Sequence, residues 1–303
     1  MSNSRNVLSL IVIVALTTMA TTTPIDAADV TYGKLAPGAI SISEVTGVRA
    51  EICRDHLFDP SSAKVRLPVG YHFVSADQMA KQDKAVASLL EREPKYKAYV
   101  GGSLCFMSVD HFLVDGASAA PRGSIPMAFW WARAEADPGI ARDARMQGKT
   151  EWLQLASWYS TSADRARTLA GDPMAQFVDL TVSQTGANQW EMKLVLANEV
   201  VTAKVNGNGQ RMKRKAPQPG FMTVPFTGDS ASLFSVYTYF GHHHQPAEGT
   251  WHASGSGVFS NALQIPGEAG VFETLFQDGW QARSALYKFA PPETSLQQSQ
   301  PVR

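Results

Sequence analysis

Ten short runs of aromatic and β-branched residues, set apart at hairpin intervals, constrain this chain more than any other feature. They are Tyr99 to Phe106, Ser108 to Val114, Pro126 to Ala134, Glu151 to Tyr159 and Phe177 to Ser183, then Trp190 to Leu196, Glu199 to Val205, Met222 to Phe226, Leu233 to Phe240 and Thr250 to Phe259. Turn residues separate them, notably Thr185-Gly186-Ala187-Asn188 and Asn206-Gly207-Asn208-Gly209. Only two helices are expected among these strands. Ser75 and Gln78 stand at the spacing of a capping box, Met79, Val86, Leu89 and Leu90 recur at helical intervals, and Pro94 ends the segment near Arg92. A shorter helix runs from Ala163 to Ala170, capped by Thr161 or Ser162 and closed by Gly171 and Pro173. Many strands with so few helices point to a barrel or sandwich carrying helical decorations, a mainly β or α+β chain.

The composition removes several functional classes. With 44% hydrophobic and 18% charged residues, the chain is too apolar to be disordered. Its 27 basic and 27 acidic side chains leave no net electrostatic footprint for nucleic acid. Arg211, Lys213, Arg214 and Lys215 lack interleaved aromatics and read as charges protecting an edge strand. Two cysteines in 303 residues exclude a disulfide scaffold and a zinc-ribbon array. Gly255-Ser256-Gly257 is too short for a nucleophile elbow, and neither a phosphate loop nor a dinucleotide fingerprint occurs.

The beginning of the chain reads as an export signal. Arg5 precedes an apolar stretch from Val7 to Ala20 whose strongly apolar part is about ten residues, too short to span a bilayer. Cleavage is expected after Ala27, with Thr18-Met19-Ala20 competing. Residues 1–27 are thus a signal peptide, 28–290 a single β-rich domain and 291–303 a flexible tail. No later stretch is apolar enough to stay in a membrane, so the expected destination is the periplasm or the exterior. In that setting Cys53 and Cys105 form either one disulfide or two buried thiols.

The central segment carries a resemblance. Trp152 to Tyr159 (WLQLASWY) is followed by the arginine-bearing helix Ser162 to Ala170, the turn Gly171-Asp172-Pro173, and the run Met174 to Leu180. Upstream stands Arg66-Leu67-Pro68-Val69-Gly70-Tyr71. The order of strand, arginine helix, Gly-x-Pro turn and strand resembles the core of the acetoacetate decarboxylase-like family, and the upstream run resembles its Leu-Pro-x-Gly-aromatic opening. The likeness extends loosely from Val65 to Phe259. It implies an antiparallel barrel-like core with a small-molecule pocket, Arg167 in place of the family's arginine, and Gly171 and Pro173 in place of its turn. Members that decarboxylate use a lysine just after that turn to form a Schiff base. Met174 and Ala175 stand there in this chain, and neither can form an imine. Lys193 and Lys204, on neighbouring strands, read as surface lysines.

Three groups of residues carry candidate chemistry. Gly241-His242-His243-His244 is followed by Glu248 and His252. On an extended strand His242 and His244 share a face, and imidazoles with a carboxylate are the ligand set of zinc and non-haem iron sites. A divalent metal such as zinc on His242, His244, Glu248 and His252 is one reading, and a pH-sensitive polar loop is the other. Arg133 and Glu135 share a face with Trp131, an arrangement able to clamp a carboxylate against an apolar wall or to form a rim ion pair. Asp110 and His111 are adjacent and point to opposite strand faces, so they make no ready-made dyad, and His111 reads as a hydrogen-bonded core residue, with a general base as the other reading. Trp130, Trp152, Trp158, Trp190 and Trp251 read as core. Together these suggest an exported lyase-like enzyme acting on a small oxo- or carboxylate-bearing molecule without a Schiff-base lysine. Arg133 or Arg167 anchors the carboxylate, and His242, His244 or His252 transfers protons or binds metal. The competing reading is a non-catalytic binding protein for a small ligand or metal.

Overall fold

The computed structural model describes residues 39–63, 67, 71–114, 117–118, 125–137, 151–160, 175–208, 210, 212–213, 218–224, 232–240, 243–265, 273–277 and 280–289. The described residues belong to one compact unit, Pro37–Arg303.

Among the described residues, fifteen strands make one mixed sheet. They are β1 (Ala39–Phe58), β2 (Tyr71–Phe73), β3 (Val100–Val114), β4 (Ala117–Ser118), β5 (Ile125–Ala136), β6 (Glu151–Ser160), β7 (Ala175–Gly186) and β8 (Gln189–Val195). The rest are β9 (Glu199–Gly207), β10 (Met212–Lys213), β11 (Gln218–Val224), β12 (Ser232–Phe240), β13 (His243–Gly255), β14 (Glu273–Gln277) and β15 (Trp280–Phe289). The chain is mainly β and the sheet curls into a half-barrel, as the density of strand-like runs implies. Most pairings are antiparallel, and β6 pairs in parallel with both β7 and β11.

The pairings run back on themselves in two circuits. β5 pairs with β6 in addition to β3. On the far edge of β6, residues Ser157 to Ser160 pair with β7, whereas Trp152 and Leu153 pair with β11. β1 divides in the same way: Ala39 to Val48 pair with β15, and Glu51 to Arg54 pair with β14. One circuit therefore passes through β7, β8, β9, β13 and β14, and the other through β11, β12 and β15. Both share the wall β1-β3-β5-β6.

The first circuit holds the main core. Alternation sends Trp190, Met192 and Leu194 of β8 and Val201, Ala203 and Val205 of β9 inward. They pack on Ala50, Ile52, Leu104, Phe106, Trp130 and Trp158 from the wall and on Trp251. Trp130, Trp158, Trp190 and Trp251 are all buried, as expected of core residues, and Trp152 is half-buried.

Two expectations about helices change. The segment after Ser75 has its capping box, with Ser75 Oγ accepting from the Gln78 amide and Gln78 Oε1 accepting from the Ser75 amide. It forms two helices instead of one, α1 (Ala76–Met79) and α2 (Lys84–Arg92). Asp83 is the reason: its carboxylate accepts from the Ala85 and Val86 amides and starts a new helix. The helices seal one end of the wall, with Val86, Leu89 and Leu90 packed on Leu57, Val74 and Tyr96. The run Thr250 to Phe259 is likewise divided. β13 ends at Gly255, whose φ of 120° suits glycine, and α3 (Val258–Ala262) follows. Glu199 caps α3, accepting from both the amide and the hydroxyl of Ser260. The runs Tyr99 to Phe106 and Ser108 to Val114 are one strand, β3. β10, which carries Lys213, lies at the end of the sheet order, the place expected of a charged edge strand. The expected helix Ala163 to Ala170 lies outside the described residues.

Candidate functional site

The shared wall has two unlike faces. Along β1, Val48, Ala50 and Ile52 point into the main core, so Glu51, Cys53, Asp55 and Leu57 point to the opposite face. Strand register continues that second face in rows, because directly paired residues share a side. Leu57 pairs with Gly101 and Arg133 with Trp152, two pairs that stand side by side one step beyond the Gly102–Ala132 pair. The next row holds Asp55, Ser103, Trp131 and Gln154, and the third Cys53, Cys105, Phe129 and Ser157. The fourth holds Glu51, Met107, Met127 and Tyr159. Glu51, Ser103, Gln154 and Ser157 are buried, which agrees with the second circuit closing over this face.

Polar side chains converge at one end of this face. Asp55 accepts a hydrogen bond from the Ser103 hydroxyl, and Arg133 lies close enough to act on it electrostatically. Burial nevertheless pushes the Asp55 carboxyl above its usual range, and the Asp83 carboxylate adds to the rise, while Ser103 and Arg133 pull it down. The Arg133 guanidinium carbon stands 5.3 Å from the centre of the Trp152 ring, a cation–π contact. Gly101 makes room for Met79 beside it: a Cβ there would lie 2.7 Å from Met79 Sδ, and at an ordinary contact of 3.5 Å from Arg133 Cδ. Aromatic rings extend from this corner. Phe129 stacks on Trp131 at 5.6 Å, and Tyr159 meets Phe129, Phe112 and Phe177 at 6.2 Å each.

The middle of the face is a disulfide. Cys53 and Cys105 are direct partners across β1 and β3 and are bridged, with Cα atoms 4.0 Å apart. Of the two alternatives left open for these cysteines, the bridge is the one present. Beyond it, burial raises the Glu51 carboxyl from its usual 4.5 to about 7.

The core face of the same strand holds a different group. Trp130 Nε1 donates to His56 Nε2 at 3.3 Å, so the imidazole proton is on Nδ1, which donates to the Arg54 carbonyl at 3.2 Å. His56 is neutral and fully engaged, and burial lowers it from 6.5 to about 4. It is a core histidine.

Of the residues singled out in the sequence, Arg133 stands in this site. Arg167, Met174 and His242 lie outside the described residues. The backbone of Ala175 opens β7 and pairs with Ser157, which sets the position after the Gly-x-Pro turn at the end of the disulfide row. His244 pairs through its backbone with Met212 and Phe276. Glu248 and His252 are exposed on β13, four residues apart along one extended strand and therefore about 13 Å from each other. That separation is too large for both to hold one ion. Lys193 and Lys204 are exposed and paired with Asp179 at 3.0 Å and Glu191 at 2.8 Å, as surface lysines. Asp110 accepts from Arg49 at 2.7 Å, and His111 is half-buried instead of core. Glu135 faces His72 at 3.7 Å.

Glu51, Asp55, Ser103 and Gln154 escape a reading of the sequence alone. The available signal is the alternation of Val48, Ala50 and Ile52 with Arg49, Glu51 and Cys53 in a segment that carries too many charges to resemble a buried strand.

No family model matches the chain, and no curated protein matches it. Among solved structures, the enduracididine biosynthesis enzyme MppR complexed with pyruvate is similar at 11% identity and a TM-score of 0.44, covering 83% of this chain and 89% of that one. An acetoacetate decarboxylase is similar at 7% identity and a TM-score of 0.45, covering 83% and 90%. An acetoacetate decarboxylase-like enzyme from Sphingomonas wittichii RW1 is similar at 8% identity and a TM-score of 0.43, covering 84% and 93%.

Proposed function

We propose that the second face of the shared wall is the pocket of an exported, lyase-type enzyme acting on a small molecule that carries a carboxylate beside a carbonyl. The observation that carries this reading is the convergence of Arg133, Asp55 and Ser103 at adjacent register positions on a buried face with aromatic surroundings. A guanidinium held against a ring binds a carboxylate with geometric specificity, and the aromatic rows shield the organic part. Asp55, its affinity for protons increased by burial, takes the proton from the carbon next to the carbonyl. Arg133 offsets the charge that develops on the carbonyl oxygen.

The chemistry runs without an imine. Ala175 occupies the register position beside Ser157, and Lys193 and Lys204 are exposed and ion-paired. Export accords with the Cys53–Cys105 bridge, since such bonds persist in oxidising compartments.

Hydrogen exchange tests the proposal. A panel of small 2-oxo acids is incubated with the protein in deuterated buffer, and deuterium entry next to the carbonyl is followed by NMR, with calorimetry for binding. Wild type accelerates exchange for at least one compound. Asp55→Asn binds it and does not exchange it, and Arg133→Gln binds it about ten- to a hundredfold more weakly, as loss of a charge-assisted hydrogen bond requires. Exchange that survives both substitutions refutes the site. Binding without exchange in wild type replaces the enzyme with a ligand-binding protein that uses the same pocket. A covalent adduct trapped by borohydride would overturn the imine-free reading.

A further inference from the structure

Among the described residues, the one set of three metal-capable side chains whose donor atoms all lie within 4.8 Å of one another is Glu51, Cys53 and Cys105. In the oxidised protein the two sulfurs are committed to their bridge. Glu51 is then hard to account for. It is 8% exposed, and its polar contact among the described residues is Cys53 Sγ at 4.0 Å, a bridged sulfur with no proton to donate. Buried carboxylates are ordinarily met by donors or cations.

We propose that reduction of the Cys53–Cys105 bridge creates a site for one thiophilic divalent cation of the zinc class, bound by Cys53 Sγ, Cys105 Sγ and a Glu51 carboxylate oxygen. The backbone already supplies the geometry. A tetrahedral zinc with bonds of about 2.3 Å to sulfur keeps its two sulfurs about 3.8 Å apart. Cysteines paired directly across β1 and β3, with Cα atoms 4.0 Å apart, keep freed sulfurs in that range. Glu51, two residues from Cys53, is on the same face of β1 and already at 4.0 Å. Ser103 Oγ, whose proton goes to Asp55 in the bridged protein, lies 3.7 Å from Cys105 Sγ, within reach of the thiolate as an outer-shell neighbour. Three protein ligands leave a fourth position for water. Cys53 is only half-buried, so reductant and ion both have access.

The balance is closed by a dithiol reductant. It gives two electrons and two protons to the bridge, becomes a disulfide itself, and leaves Cys53 and Cys105 as thiols. Cation binding releases both thiol protons to solvent, together with the Glu51 proton where that carboxyl carries one. Bridge and cation exclude each other, because the bridged sulfurs are not thiolates.

The test uses the full chain. It is reduced with a dithiol, freed of reductant without oxygen and titrated with cadmium, following the thiolate-to-cadmium charge-transfer band and counting bound ions by native mass spectrometry. One ion per reduced chain is expected and none for the bridged chain. Cys105→Ser abolishes the band, and Glu51→Gln, which keeps the bridge for folding, weakens the reduced chain's affinity at least about tenfold. Equal uptake by the bridged chain places the ion elsewhere and overturns the proposal. So does an unchanged affinity in Glu51→Gln, or loss of the β-sheet circular dichroism on reduction, because the site requires β1 and β3 to stay paired.

Discussion

Two buried titratable groups five residues apart on β1 push the stability of the protein in opposite directions as the pH changes. Glu51, on the pocket face, has its carboxyl raised from 4.5 to about 7 by burial. The folded state therefore keeps a proton that the unfolded chain has lost. Its stabilisation is complete below pH 4.5 and disappears as the pH rises through 7. His56, on the core face, is lowered from 6.5 to about 4. Its contribution is complete above pH 6.5 and disappears as the pH falls through 4. At about 1.4 kcal/mol for each pH unit between the two values, each group is worth on the order of 3 kcal/mol. Between pH 8 and pH 4 the two nearly cancel.

Single substitutions expose what the wild type conceals. Glu51→Gln removes the group that favours acid, so on going from pH 8 to pH 4 it should lose on the order of 3 kcal/mol relative to wild type. His56→Gln should gain a similar amount over the same interval. Asp55 and Glu199, also raised by burial, act alike in all three proteins and drop out of the difference. Urea unfolding at a series of pH values reads the effect as divergent midpoints, separated by about 1 M or more at pH 4 once the curves are aligned at pH 8. The disulfide-bonded proteins are compared with a chelator present. If Glu51→Gln and wild type run parallel from pH 8 to pH 4, Glu51 is not buried as a neutral acid in the folded state, and the reasoning fails.

Three further outcomes follow from local geometry. Replacing Cys105 by Ser opens a loop with a sequence separation of 52 and should cost about 4 kcal/mol, measured by chemical unfolding against the bridged protein. Gly102→Ala would set a Cβ 2.8 Å from His56 Nε2 and 3.1 Å from Phe58, so it should cost about 1–3 kcal/mol and change the Trp130 fluorescence, since that indole donates to His56. Unchanged emission would show that His56 does not yield. Asp83→Ala removes the acceptor for two amides at the start of α2 and should cost about 1 kcal/mol, together with a fall in the Asp55 pKa that an NMR titration detects.

What the sequence shows, and what it hides, follows from how far each feature reaches along the chain. β8 and β9 are plain because Trp190, Met192, Leu194, Val201, Ala203 and Val205 alternate strictly and the outer side of each strand is exposed. The capping box at Ser75 is equally local. The restart at Asp83 is local too, but the helical spacing of Met79, Val86, Leu89 and Leu90 masks it, and the sequence reads as one helix. β1 is different because both of its faces are covered from Glu51 onward. Glu51, Arg54 and Asp55 suggest exposure, yet the strand lies in a wall shared by two circuits, and only its partners reveal this. Density along the chain also misleads in the opposite sense. Glu248 and His252 look like a cluster in sequence, but an extended strand carries them about 13 Å apart. Asp55, Ser103 and Arg133 are scattered through the sequence, and pairing of β1 with β3 and of β3 with β5 brings them to neighbouring positions. In a sheet, a site is assembled across strands at spacings of about 4.8 Å, so residues far apart in the chain meet more readily than residues a few places apart on one strand.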